Sequence, residues 1–97
     1  EKGVEAYKAV GFPDEWKLHH QGGATGYEGR DFKGSFTSHQ TVQPNQAVAW
    51  NPSITGTKSE DTFLCTESGN VLVTQAKNWP MVSVSGFEFE RPGILCL

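Results

Sequence analysis

The chain has 97 residues, a formal charge of −3, 36% hydrophobic residues and 11% aromatic residues. At that length only about two-thirds of the unfolded surface can be buried, so any core is small, yet the composition is that of a globular protein and not of a disordered tail. No apolar run approaches the roughly 20 residues of a membrane-spanning helix, and the eight Lys and Arg residues are scattered instead of forming a basic stripe, so neither a membrane nor a nucleic acid is an expected partner.

The chain opens at Glu1-Lys2-Gly3 without a methionine, and the expectation is an excised or processed piece of a longer protein. Val4, Tyr7 and Val10 fall along one helical stripe, and Gly11 followed by Phe12-Pro13 supplies the stop. Two turns of helix are marginal alone and need a packing partner. From His19 to Arg30 four glycines stand among bulky polar residues, which reads as an extended loop with strand character, able to approach a ligand closely. Thr41 to Gln46 carries turn chemistry centred on Pro44-Asn45, Ala47 to Trp50 reads as a short strand, and Asn51-Pro52 ends it. Thr62–Thr66 and Asn70–Thr74 flank Glu67-Ser68-Gly69, a hairpin signal. Trp79 to Phe89 alternates loosely, and Ile94 to Leu97 reads as a terminal strand that must be buried. The fold class expected is α+β, strand-rich with a short amino-terminal helix.

Cys65 and Cys96 are too few for a disulfide framework and have no metal-like spacing, so both are read as reduced, small buried hydrophobes. With no secretory signal at the amino end, a cytoplasmic location is expected. Trp16, Trp50 and Trp79 with Phe12, Phe63, Phe87 and Phe89 serve either as core or as the lining of a pocket for an apolar or proline-like side chain.

Common catalytic templates are missing: there is no Gly-x-Ser-x-Gly elbow, no phosphate-cradling Gly-x-x-x-x-Gly-Lys-Ser/Thr loop and no His-Glu-x-x-His helix. Three other islands stand out instead. His20-Gln21-Gly22-Gly23 precedes Trp50-Asn51-Pro52-Ser53-Ile54, and Gly56-Thr57-Lys58-Ser59-Glu60-Asp61-Thr62 then opens the hairpin. This order resembles the creatinase, prolidase, aminopeptidase P and methionine aminopeptidase family, nearest its Xaa-Pro peptidase-like members.

The resemblance implies the carboxy-terminal half of a pita-bread fold, with residues 1–97 as one partial domain. It also implies a dinuclear metal site in which two aspartates come from an earlier part of the chain. The histidine ligand falls on His20 in the gapless register, which also puts Tyr27 where many members have a substrate-contacting histidine. A one-residue gap would move these positions to Ala24 and Arg30. The first glutamate ligand falls on Asn51, which keeps a carbonyl oxygen but lacks the charge and the basicity of a carboxylate. The second falls on Glu60, with Lys58 in place of the family's arginine and without its planar fork.

The expected activity of the intact parent is that of an Xaa-Pro dipeptidase- or aminopeptidase-like metallohydrolase. It would act on short peptides through metal-activated water, with Mn, Co or Zn as the divalent metal. The alternatives are a catalytically degenerate member with a binding role, for which Asn51 and Lys58 argue, and a creatinase-like metal-free hydrolase that relies on proton transfer by histidine and carboxylates. The piece alone is expected to be inactive, to hold no metal, and to self-associate as a homo-oligomer through its uncovered sheet.

Overall fold

A computed structural model describes all residues, 1–97. Helix α1 spans Lys2–Ala9, and its stripe turns Tyr7 inward, where it is buried, with Val4 half-buried. Val10, on the same stripe, remains 61% exposed. The helix ends as the glycine signal predicts. Gly11 adopts φ +89°, its N–H bonds to the Lys8 carbonyl at 3.1 Å, and the Phe12 N–H reaches back to the Tyr7 carbonyl at 2.9 Å. That pair of bonds is the Schellman arrangement, which satisfies carbonyls left open by the last turn. A single 3-10 turn, Glu15–Lys17, follows.

Nine strands come next: β1 (Gly22–Gly26), β2 (Gly29–Lys33), β3 (Gln46–Trp50), β4 (Ser53–Ile54), β5 (Thr57–Lys58), β6 (Asp61–Thr66), β7 (Gly69–Leu72), β8 (Met81–Val82) and β9 (Arg91–Pro92). Five of them form an antiparallel sheet in the order β2-β1-β3-β6-β7, while β4-β5 and β8-β9 are separate two-stranded ribbons. The hairpin expected around Glu67 is present, with Thr66 opposite Gly69 and Gly69 at φ +128°. Asn45 sits at φ +63° in the turn before β3, a conformation asparagine tolerates better than most residues.

The glycine-rich stretch, read from the sequence as an extended loop with strand character, forms β1 and the start of β2 with a turn between them. A Cβ on Gly23 would run into the Phe32 carbonyl oxygen and lie 2.9 Å from the Lys33 Cα, and one on Gly22 would meet the Ala49 carbonyl oxygen. These glycines allow β1 to lie tightly between β2 and β3, so their freedom serves strand packing.

The terminal strand expected at Ile94–Leu97 does not form. Ile94 is 87% exposed and Leu97 fully so. Cys96 is consequently exposed and Cys65 half-buried, both as free thiols, so Cys96 does not act as a buried hydrophobe. The run of three apolar residues around it has the composition of a strand but finds no neighbouring edge with which to pair. Only the two-residue ladder of β8 against β9 forms in the stretch after Thr74.

The architecture is therefore a small, strand-rich mixed α/β arrangement with one short helix, compatible with the α+β class. No helix is long and apolar enough to cross a membrane. Burial is sparse: only Tyr7 and Ala24 among hydrophobic residues are buried, together with Asp61.

Candidate active site

Three of the residues singled out in the sequence meet at one end of the sheet. His20 lies just before β1, Asn51 just after β3 and Glu60 just before β6, and these strands are neighbours. The registers Gly22 to Trp50 and Trp50 to Asp61 put all three strand ends at the same edge. One further bond extends the ladder beyond β1, from the Asn51 N–H to the Gln21 carbonyl at 2.7 Å. Antiparallel pairing thus brings together residues separated by up to 40 positions in the chain.

Residues assigned no site role from the sequence hold this corner. The buried Tyr7 hydroxyl accepts the Ser53 N–H at 2.7 Å and lies 2.8 Å from both the Gln21 Oε1 and the Ser53 carbonyl, to which it can donate. Gln21 Nε2 donates to the carbonyls of Trp16 at 3.1 Å and His19 at 3.0 Å. The His19 ring contacts the His20 carbonyl through Nδ1 and the Ser53 hydroxyl through Nε2. The tautomer that satisfies both carries its proton on Nδ1 and accepts the Ser53 proton at Nε2. The helix stripe was the only signal for Tyr7, and contacts between residues 34 or 46 positions apart leave no local mark in a sequence.

Electrostatics separate the three candidates. The His20 ring is exposed, and its pKa lies below the ordinary value of 6.5: lost hydration disfavours the charged form, as do Arg30, Lys33 and His19, while Glu60 acts in the opposite direction. His20 is therefore a neutral imidazole at neutral pH, with a lone pair to offer. Glu60 is exposed and bonded through Oε2 to the Lys58 ammonium at 2.6 Å. The Asn51 Oδ1 is buried without a hydrogen-bond partner, which leaves a strong acceptor free in a place where such atoms are normally paired. Next to Glu60, the buried Asp61 forms an ion pair with Arg91 and accepts the Thr74 hydroxyl at 2.7 Å, so its carboxylate is engaged in holding the fold.

Tyr27 lies elsewhere. It occupies the turn between β1 and β2, fully exposed, at the opposite end of a five-residue strand that rises roughly 16 Å.

A groove of about 560 Å³ opens beside His20, with His19, Gln21, Trp16, Phe36 and Trp50 among its walls. Trp16 packs edge-on against Phe36 with ring centres 5.6 Å apart. Of the aromatics named from the sequence, Trp50 is 43% exposed and lines the groove more than it fills a core.

No three His, Cys, Asp or Glu side chains come together as a group that could hold a metal ion. What the corner supplies is one imidazole, one carboxylate and one unpartnered amide oxygen. That donor set is chemically suited to part of a divalent-metal shell, though with less negative charge than a two-glutamate site would have. Comparison with protein-family models, with curated proteins and with solved structures gives no match.

Proposed function

We propose that the chain is the strand-rich carboxy-terminal half of a pita-bread catalytic domain, and that the intact protein is an Xaa-Pro dipeptidase- or aminopeptidase-like metallohydrolase acting on short peptides. The convergence of His20, Asn51 and Glu60 at one end of β1, β3 and β6 carries this reading. It supports the reading because sequence-distant residues with ligand chemistry share one corner, in the order that the resemblance implies.

A divalent cation such as Mn, Co or Zn, held by these residues together with carboxylates from an earlier part of the protein, would supply an activated water and polarise the scissile carbonyl. His20 offers a neutral ring nitrogen and Asn51 its buried Oδ1, while Glu60 must exchange its Lys58 contact for the ligand role. Lys58 is then free to offset negative charge on the substrate. The Tyr7, Gln21 and Ser53 bonds fix the two segments that present His20 and Asn51, and the Trp50-lined groove gives an apolar side chain a place beside them. Tyr27, a strand length away, takes no part.

A second reading is favoured by one specific contact. The Lys58–Glu60 pair at 2.6 Å and the neutral amide at Asn51 together suit a member that has exchanged metal binding for ligand binding or metal-free hydrolysis, with neutral His20 as the proton acceptor. Elemental analysis after manganese loading and dialysis separates the two. Near-stoichiometric metal in the intact protein supports the metallohydrolase, whereas metal held only by the Asn51→Glu variant supports the second reading.

A further inference from the structure

A second groove, of about 380 Å³, lies between the sheet and the segment leading into β9 and shares Trp50 with the first. Its walls include Trp50, Phe63, Phe87 and Phe89, together with Glu88 and Arg91. The three phenylalanines form a continuous set: Phe63 and Phe89 have ring centres 5.6 Å apart at 57°, and Phe87 and Phe89 are 5.7 Å apart at 67°. Phe63 and Phe89 are half-buried in this set, whereas Phe87 remains 45% exposed.

The charges of this groove are unequal in availability. Arg91 is committed to Asp61 and to the Ser59 hydroxyl, which neutralises both members of that ion pair. Glu88 forms no ion pair, so the groove presents aromatic rings and one free carboxylate. Aromatic faces carry negative quadrupole density and attract cations. An anion would find the guanidinium occupied and Glu88 opposed to it, and a neutral apolar molecule would remove water from Glu88 without replacing its counter-charge.

The geometry points to a binding site for a small organic ammonium ion, a protonated or N-alkylated amine on a compact apolar frame. Its cationic head lies against Phe87 and Phe89, with Glu88 as counter-charge. The site uses none of His20, Asn51 or Glu60, although it shares the Trp50 wall with the groove beside them.

Choline and its uncharged isostere 3,3-dimethyl-1-butanol test it directly, because they share shape and differ in charge. Titration of the folded chain by calorimetry or ligand-observed NMR is expected to show choline binding about tenfold more tightly than the alcohol. Glu88→Gln should weaken choline several-fold and leave the alcohol unchanged, and Phe89→Leu should weaken both, with circular dichroism confirming that each variant is folded. Equal affinity for the two probes, no detectable binding of choline at millimolar concentration, or indifference of choline to Glu88→Gln in a folded variant would each overturn the proposal.

Discussion

At Asn51 a neutral amide stands beside an imidazole that prefers to be neutral and a carboxylate that is already paired. The corner therefore has little net negative charge with which to attract a dication. Adding one carboxylate at this position should change that. Asn51→Glu is expected to raise manganese affinity by at least about tenfold, the scale of one added charge at close range, measured by competition with a metal-sensitive dye.

His20 gives a pH prediction with a definite sign. Its folded-state pKa lies below 6.5, so on acidification the unfolded chain takes up this proton before the folded one. Stability is then fully present above about 6.5 and is lost as the pH falls through the folded-state value. The urea midpoint should drop across that window, and His20→Gln should flatten this part of the profile. A profile identical to that of the unaltered chain would remove His20 as its source. Tyr7→Phe deletes only an oxygen, yet it leaves the Ser53 N–H without its acceptor. A loss of about 1–3 kcal/mol is expected in urea unfolding, and an unchanged midpoint would mean that the hydroxyl holds nothing together.

Among the secondary-structure elements, the glycines of β1 make the sharpest case. Gly23→Ala places a methyl group against the backbone of β2 and should cost about 1–3 kcal/mol through overpacking. Gly3→Ala, in α1 with the nearest atom of Trp50 at 3.8 Å, should stabilise by up to about 1 kcal/mol through helix propensity. Opposite signs in the two urea curves are the expected result.

The same strand shows where sequence reading reaches its limit. Gly22, Gly23 and Gly26 carry no alternation of apolar side chains, so the usual strand signal is missing, and what excludes a side chain at Gly22 and Gly23 is the backbone at residues 49 and 32. By contrast, the helix stop at Gly11, the turn at Asn45 and the Glu67–Ser68 hairpin depend on local φ values, which the residue types themselves restrict, and all three were legible. Ile94–Leu97 failed for the reverse reason, because its composition suits a strand but it pairs with neither edge of the sheet, β2 or β7. In the candidate site, a motif order singled out His20, Asn51 and Glu60, whose segments the structure brings to one edge, whereas the contacts of Tyr7, Gln21, Ser53 and His19 arise only when distant segments meet.

On the scale of the whole molecule, the exposed area is large for the mass. A compact monomer of 10.6 kDa would expose roughly 5,500 Å², and this chain exposes 7513 Å². Its radius of gyration, 14.4 Å, likewise exceeds the roughly 12.5 Å of a compact domain of this length. The excess is more than the roughly 800 Å² that one partner contributes to a standard protein interface, and Val71 and Val73, in or beside the edge strand β7, are at least half exposed. Self-association is the expected consequence. Sedimentation velocity should show a mass that increases with concentration, and a monodisperse monomer at high concentration would contradict it.

The convergence of His20, Asn51 and Glu60 as part of a metal-binding corner is tested most directly by the metal content of the intact protein after manganese loading and exhaustive dialysis, with His20→Ala and Glu60→Ala measured alongside. The account predicts near-stoichiometric manganese that falls sharply in both variants. Manganese absent from the unaltered protein, or retained in full by both variants, would contradict it.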